Sequence, residues 1–146
     1  MLRAICHYLS AAFITFMIGS VIGSQMVLSS LEAMGLEVTL SQRLSVTWQD
    51  IVGLSTSLLP MMALSQILSW WILEVVGRRV SLWRTTLLYA LLGGLSIVVL
   101  HLVLRQIFGI DVYAPARSAG GLLGQAAAGA IGGWWLARLR VSGRKG

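Results

Sequence analysis

Three kinds of residue are scarce in this chain of 146 residues. It has one cysteine and two prolines, and only 11% of its residues are charged, against roughly a quarter in ordinary soluble domains. A single cysteine excludes a disulfide scaffold and a cysteine-ligated zinc or iron–sulfur centre. The low charge also excludes a disordered, highly charged tail protein. With 57% hydrophobic residues and a mean hydropathy of +0.83, the composition predicts an integral membrane protein.

Four apolar stretches cover residues 4–28, 51–76, 85–104 and 119–137. A helix needs about 20 residues to cross the roughly 30 Å of bilayer hydrocarbon. The fourth stretch is the least apolar, because Gly and Ala fill most of its first fifteen positions. Arg117 and Arg138 bracket it about one bilayer apart, and no uninterrupted period-two alternation indicates a barrel strand. We predict one transmembrane domain over residues 1–146, an all-α antiparallel bundle of four membrane-spanning helices.

The start of the chain resembles a secretion signal, since Arg3 precedes a long apolar run. Signal h-regions are about 7–15 residues long and end at a small-residue cleavage site. This run is longer and has no convincing cleavage site. We interpret it as a retained first helix.

The basic residues indicate the orientation, because cytoplasmic loops hold the excess of Lys and Arg. Eight of the 11 lie on the side of the two termini: Arg3, Arg78, Arg79, Arg84, Arg138, Arg140, Arg144 and Lys145. Four of the five acidic residues lie on the other side: Glu32, Glu37, Asp50 and Asp111. Most Trp and Tyr residues fall at the helix ends, as expected for the headgroup levels. We predict that both termini are cytoplasmic.

The basic residues near the terminal side have two further expected contacts. They are expected to meet anionic lipids at the cytoplasmic face. Arg78 also follows Glu74 by four residues, which predicts a local ion pair on the second helix. Nucleic-acid binding is not expected, because the basic residues flank lipid spans and are not interleaved with stacking aromatics.

The longest connection, residues 29–50, lies on the side away from the termini. Residues 36–40 alternate apolar and polar side chains, which predicts a short extended piece. An apolar stripe at helical spacing follows: Leu44, Trp48, Ile51 and Val52. Its helix has two alternative capping boxes, Thr39–Gln42 and Thr47–Asp50. The amphipathic segment, about residues 36–50, is either a helix lying in the membrane interface or a contact surface for a partner.

Pro60 lies inside the second apolar stretch. Within a helix a proline removes one backbone donor and clashes with the preceding turn, so we expect a kink near residues 57–61. The hydroxyls of Ser55, Thr56 and Ser57 are placed to satisfy the freed carbonyls. The kink is either plain architecture or a hinge at a binding site.

Small residues recur every four positions in the fourth stretch. Gly120, Gly124, Ala128 and Gly132 form one ridge, and Gly121, Gln125, Gly129 and Gly133 form a second. The first stretch repeats the spacing with Gly19 and Gly23. Small residues let helix backbones approach closely in lipid. We predict a glycine zipper between helices one and four, with the fourth the most enclosed; the alternatives are homo-oligomerisation through the same ridge and a glycine-lined pore.

Polar residues within spans are the default functional candidates. Those at comparable depth in the half away from the termini are His101, Arg105, Gln25, Gln125, Ser24 and Ser57. They are predicted to form a small polar pocket suited to a carboxylate, a quinone carbonyl or a lipid headgroup. The competing interpretation is hydrogen bonding between helices, with Arg105 extending to the interface.

Nothing in the sequence predicts catalysis or a resident cofactor. His7 and His101 lie in opposite membrane halves, so one haem iron cannot be held by both. The serines lack a His–Asp or Lys set, and the one acid within a span, Glu74, lies at its end. We expect no enzyme activity, no metal and no cofactor.

Three segments of the C-terminal half read Arg84-Thr-Thr-Leu-Leu-Tyr-Ala-Leu-Leu-Gly-Gly, Ala116-Arg-Ser-Ala-Gly-Gly-Leu-Leu-Gly-Gln and Gly132-Gly-Trp-Trp-Leu-Ala-Arg-Leu. They resemble small bacterial four-span membrane proteins of unknown function. The resemblance implies a bacterial inner membrane and no activity. Our first hypothesis is a non-enzymatic accessory, assembly or structural subunit, as a homo-oligomer or within a larger complex. The second is a small transporter or channel that uses the polar pocket and the Pro60 kink.

Overall fold

The computed structural model describes residues 2–77, 86–111 and 113–142. These residues fold into α1 (Leu2–Ala33), α2 (Leu40–Ser55), α3 (Leu58–Gly77), α4 (Thr86–Phe108), a 3-10 helix (Ala114–Arg117) and α5 (Ala119–Ser142). They contain no β-strand, so the all-α prediction is confirmed for them. The extended piece expected at residues 36–40 is an irregular connection that ends where α2 begins.

Three helices are long and apolar enough to cross a membrane: Arg3–Ala33, Leu58–Val76 and Thr86–Phe108. Large apolar side chains such as Leu64 and Leu87 are largely exposed on their outward faces. Extended exposed apolar surface is rare on a soluble monomer, so these helices indicate a membrane protein. α5 is not among the three, because its many Gly and Ala residues lower its hydropathy.

A glycine and a capping box define the connection from α1 to α2. Gly35 follows α1 with a φ of +86°, a conformation that L side chains rarely adopt. At the start of α2, the Gln42 N–H donates to Thr39 Oγ1 at 3.3 Å, and the Thr39 N–H donates to Gln42 Oε1 at 2.8 Å. The Thr39–Gln42 capping box is confirmed. The alternative box is wrong, because Thr47 lies inside α2.

The second predicted span, residues 51–76, is interrupted. α2 continues to Ser55, and after a two-residue turn α3 begins at Leu58. Pro60 is the third residue of α3, within the first turn, where backbone N–H groups have no acceptor inside the helix. In place of the kink expected near residues 57–61, the helix is interrupted at residues 56–57, directly before the turn that contains Pro60, and the missing donor is one that α3 does not use.

The position of Pro60 predicts that its removal has little effect. Pro60→Ala should change the free energy of unfolding by less than about 1 kcal/mol, since no hydrogen bond is restored in the first turn. Leu64→Pro, one turn further along α3, should cost about 3 kcal/mol or more because it removes an internal hydrogen bond. Thermal unfolding in mild detergent compares the two. A large loss for Pro60→Ala alone would contradict this placement.

α5 makes the most extensive helix contacts in the described chain, with α4 and with α1. One of its small-residue ridges faces α1. A Cβ at Gly132 would collide with the Thr15 side chain, and a Cβ at Gly124 would lie 2.8 Å from Cγ2 of Ile22 in α1. At Gly120 the nearest atom, a methyl group of Met26, would be 3.6 Å away, which is ordinary contact. The approach of α5 to α1 is therefore tightest in the second half of α5.

The other ridge of α5 reaches α4 at backbone contact. A Cβ at Gly129 would collide with the carbonyl of Gly93, and one at Gly133 would collide with the carbonyl of Tyr89. A Cβ at Gly94 would lie 2.8 Å from a carbonyl oxygen of α5. The small-residue spacing predicted only a contact between the fourth helix and the first, because the two glycines of α4 have no repeat in the sequence. The more extensive partner of α5 is α4.

The two predicted packing glycines of α1 have a different role from the one expected. Gly19 lies under the side chain of Gln125, whose Oε1 would be 2.7 Å from a Cβ. Gly23 lies under the ring of Tyr113. The expected contact between glycines of α1 and glycines of α5 is thus replaced by glycines that make room for polar side chains of their neighbours.

The starts of α1 and α4 lie next to the ends of α3 and α5. Tyr8 of α1, Glu74 of α3, Tyr89 of α4 and Arg140 of α5 meet at one end. We call this the terminal end, because α1 begins and α5 finishes there; the opposite end is the distal end. α2 lies beside α1 at the distal end.

Candidate functional site

Two residues of the predicted pocket point away from the bundle core. Gln25 turns towards α2, where its Nε2 donates to Thr47 Oγ1 at 3.0 Å and its Oε1 accepts from Arg43 at 2.8 Å. The Arg105 side chain is 62% exposed and lies 3.7 Å from Asp111. Because of these orientations, the predicted residues do not form a single pocket. The physical reason is that Gln25 and Arg105 each bond to a polar residue outside the core, Gln25 to residues of α2 and Arg105 to Asp111.

Two further residues of the predicted pocket, His101 and Gln125, are buried and are joined by Tyr113. The Tyr113 ring stacks on His101, with centroids 5.7 Å apart and planes 16° apart. Its hydroxyl donates to the Gly19 carbonyl at 3.4 Å, and Gln125 Nε2 donates to the same carbonyl at 2.9 Å. Ser57, also assigned to the pocket, is exposed. Tyr113 thus ties α1, α4 and α5 together, a role that the sequence analysis missed.

The loop between α4 and α5 fixes the position of Tyr113. Gly109 turns the chain after α4 with a φ of +67°. Pro115 lies in the first turn of the 3-10 helix and is buried. Gly23 leaves space for the ring, since a Cβ there would overlap the Tyr113 hydroxyl. The sequence does show a tyrosine between a turn glycine and a proline. The residue against which this tyrosine packs, Gly23, is far away in the sequence.

Gly23→Ala tests this fit. It should destabilise the protein by about 1–3 kcal/mol through overpacking against Tyr113. Tyr113→Phe alone should cost about 1 kcal/mol, the value of its hydrogen bond. The double variant removes the hydroxyl, which is the atom closest to the added methyl group, and leaves the milder contact with Cζ at 2.8 Å, so the loss should be smaller than the sum. Unfolding of all four proteins in one detergent measures the coupling, and strictly additive losses would count against the contact.

An acid from α2 completes this distal cluster, which we define as Gly19, Ser24, Asp50, His101, Tyr113 and Gln125. Ser24 Oγ lies 2.6 Å from Asp50 Oδ2 and 2.8 Å from the Ser20 carbonyl, so its one proton is shared between two acceptors. Burial, and next the charge of Asp50, raise the pKa of Tyr113 to about 12. The Tyr113 hydroxyl therefore stays protonated and acts as a donor.

Several buried polar atoms in the described core have no hydrogen-bond partner in the protein. Those of the bundle interior are Ser20 Oγ, Gln66 Oε1, His101 Nε2 and Gln125 Oε1. Gln66 Nε2 donates to the Gly129 carbonyl at 3.4 Å, one turn of α5 from Gln125. Such buried acceptors normally bind ordered water or another donor. They extend the polar interior from the distal cluster towards the middle of the bundle.

A second cluster joins four helices at the terminal end: Tyr8, Glu74, Tyr89 and Arg140. Glu74 Oε1 accepts from the Tyr8 hydroxyl and forms an ion pair with Arg140. Arg140 also donates to the Tyr8 hydroxyl at 2.8 Å and lies over its ring, 4.9 Å from the centroid. Tyr89 completes it with its hydroxyl 3.5 Å from Glu74 Oε1. The predicted partner of Glu74, Arg78, lies outside the described residues.

Trp70 packs against two residues of this terminal cluster. It is fully buried, stacks on Tyr8 with centroids 6.1 Å apart, and donates from Nε1 to the Tyr89 carbonyl at 3.3 Å. Most Trp residues, Trp70 among them, were expected at the headgroup level of a helix end. It lies at the expected end, but it packs in the core, and Trp71 is the exposed neighbour.

The chemistry of the two clusters is hydrogen bonding and ion pairing between helices. Within residues 2–77, 86–111 and 113–142 no group of three or more His, Cys, Asp or Glu is placed to hold a metal ion. The clusters contain hydrogen-bond donors and acceptors that connect the helices. Each cluster contains one acid, Asp50 at the distal end and Glu74 at the terminal end.

Comparisons with known proteins give no match. No protein-family model matches the sequence, and neither a curated protein nor a solved structure is significantly similar to it. The function of the chain is therefore inferred from its own residues and contacts.

Proposed function

We propose that this chain is a four-span protein of the bacterial inner membrane, with both termini cytoplasmic, that acts as a non-enzymatic accessory, assembly or structural subunit. The observation that carries this proposal is the backbone contact between α4 and α5. At Gly93, Gly129 and Gly133 the interface has no room for a methyl group. Helices in such contact form a rigid unit and leave no path for a substrate between them.

The position of α5 supports a fourth span, although its hydropathy does not. Gln125 bonds to Gly19 of α1, and Arg140 bonds to Tyr8 near the start of α1. Arg140 is fifteen positions after Gln125, a rise of about 22 Å along the helix. α4 crosses the same layer in the opposite direction. Since α1 and α4 cover much of α5, this helix needs less apolar surface than a helix surrounded by lipid.

The distribution of basic residues supports the cytoplasmic placement of the termini. Arg3 is exposed at the terminal end, and Arg138 lies over Trp134, with 5.1 Å from its guanidinium carbon to the ring centroid. Arg140 is engaged with Glu74, so it is a poorer candidate for anionic lipid than expected. The remaining basic residues assigned to anionic lipid lie outside the described residues: Arg78, Arg79, Arg84, Arg144 and Lys145.

Native mass measurement in mild detergent tests the accessory role. A stable complex with a second, identifiable membrane protein is the expected result. A symmetric homo-oligomer whose stability depends on an added small solute would overturn it in favour of transport. The topology is tested separately by labelling single cysteines at residues 3 and 37 in intact cells: only the second should react with a membrane-impermeant reagent.

A small transporter or channel is the second candidate. It is favoured by buried acceptors without a partner in the described protein, those of Gln125 in the distal cluster, of Ser20 and of Gln66. Polar atoms inside a membrane bundle often mark a pathway for ions or solutes. Gln66→Leu and Gln125→Leu should abolish any solute flux into proteoliposomes if this candidate is correct. In the accessory role the same variants change stability and leave complex formation intact.

A further inference from the structure

The helix α2 has three faces of different chemistry. Successive residues advance about 100° around a helix, so residues three or four apart share a face. The first face turns towards α1. Asp50 contacts Ser24 there, while Arg43 contacts Gln25 and forms an ion pair with Glu32 at 2.5 Å. The polar groups of this face are thus satisfied within the protein.

The other two faces are exposed and differ in polarity. One is the exposed apolar stripe, which consists of Leu40, Leu44, Trp48 and Val52, all between 52% and 73% exposed. Ile51, which the sequence assigned to this stripe, packs instead against the core. The other is the polar face Gln42, Ser45 and Gln49, which is also exposed and in which Gln49 Nε2 donates to Ser45 Oγ at 3.0 Å. The centres of the three faces lie about 120° apart. A helix with one apolar and one polar outer face matches a boundary between lipid and water.

The contacts of α2 with α1 place it at the level of such a boundary. Ser24 is sixteen residues from Tyr8 of the terminal cluster, about 24 Å at 1.5 Å per residue, and Glu32 is about 36 Å away. The hydrocarbon layer is about 30 Å thick. If the charged terminal cluster marks one edge of this layer, α2 lies across the other edge. Trp48 then lies at a depth where Trp residues concentrate.

We propose that α2 is an interfacial helix whose apolar stripe binds the lipid surface of the distal leaflet, while its polar face meets water. The partner of this surface is therefore lipid and not a soluble protein. The proposal rests on the membrane-spanning arrangement of the bundle, and it holds for either orientation in the membrane. It assigns to α2 the task of fixing the depth and rotation of the distal end, through the bonds of Asp50 and Arg43 to α1.

Site-directed spin labelling tests the proposal. In a Cys6→Ser background, single cysteines replace Leu44 and Trp48 on the apolar stripe, and Ser45 and Gln49 on the polar face. The labelled proteins are studied in vesicles of three parts phosphatidylethanolamine to one part phosphatidylglycerol. Power saturation should show oxygen accessibility several-fold above that of a water-soluble nickel chelate on the stripe, and the reverse on the polar face. Equal, high nickel accessibility on both faces would overturn the proposal and favour a protein partner.

Two reference positions separate this proposal from the membrane-spanning arrangement itself. A label at Leu64, on the outward face of α3, should be accessible to oxygen alone, and a label at Glu37, in the connection before α2, should be accessible to nickel. If Leu64 fails, the spanning arrangement is wrong. If Leu64 behaves as expected and the stripe does not, only the interfacial helix is wrong.

A fluorescence measurement on the protein without spin labels controls for disturbance of α2 by the labels. Trp48→Phe removes one of the six tryptophans, so the difference between the two proteins reports Trp48. Lipids brominated near the headgroup should quench this difference signal more strongly than lipids brominated deep in the chains. Quenching by aqueous acrylamide, with none by either brominated lipid, would overturn the proposal.

Discussion

Gly129→Ala is expected to lower the free energy of unfolding by about 3 kcal/mol or more, because overpacking against rigid backbone cannot relax. The added Cβ would collide with the Gly93 carbonyl and lie 2.8 Å from Ile97 Cγ1. Both helices must then move apart along an interface built on close approach. Helix propensity alone would act in the opposite direction, because Ala stabilises a helix by about 0.5–1 kcal/mol relative to Gly. Thermal unfolding in mild detergent, followed by circular dichroism, measures the loss.

Gly120→Ala provides the matched control in the same helix. A Cβ there meets only the Met26 methyl group at ordinary contact distance. The higher helix propensity of Ala should then dominate, and the free energy of unfolding should be unchanged or up to about 1 kcal/mol higher. Gly124→Ala should fall between the two, since the added Cβ presses on a side-chain atom, Ile22 Cγ2 at 2.8 Å, and not on the backbone. Equal melting of Gly120→Ala and Gly129→Ala would show that α5 does not touch α4 at Gly93.

Glu74→Gln and Arg140→Gln are each expected to cost about 2 kcal/mol. Breaking a fully buried ion pair costs about 3–5 kcal/mol, and partial solvent access reduces that figure. The two side chains are 20% and 28% exposed, so they are partly screened. Each single variant leaves one charge at a junction of four helices. The double variant removes both charges, so its loss should be smaller than the sum of the single losses.

Arg105→Gln is the control for the terminal cluster. Its pair with Asp111 is 3.7 Å long and its side chain is mostly exposed, so the loss should be below about 1 kcal/mol. Two results would contradict the conclusion that the Glu74–Arg140 ion pair joins the helices at the terminal end. One is strictly additive losses for Glu74→Gln and Arg140→Gln, and the other is a loss as small as that of Arg105→Gln.

The helical segments were predictable from hydropathy, and their partners were only partly so. Runs of apolar residues and the Thr39–Gln42 box located α1, α4 and the start of α2. The break before Pro60 was missed because a proline in the first turn and one that kinks a helix have the same local sequence. The close partner of α5 was missed because Gly93 and Gly94 form a single pair without a repeat. Their significance arises only when α4 is placed beside Gly129.

The depth of the distal residues was predictable, but the direction of each side chain was not. Gln25, His101, Arg105 and Gln125 do lie towards the distal end. Whether a residue faces the core depends on how each helix is rotated against its neighbours, which the spacing along one helix does not determine. Tyr113 illustrates this limit, because its contacts come from three helices distant in sequence.

The composition of α5 has a consequence for the biogenesis of the proposed four-span protein. A helix rich in Gly and Ala gains little by entering lipid alone. It is also made after α1 and α4. We therefore expect α5 to enter the bilayer against helices that precede it in the chain, so that insertion of α5 reports the correct assembly of those helices.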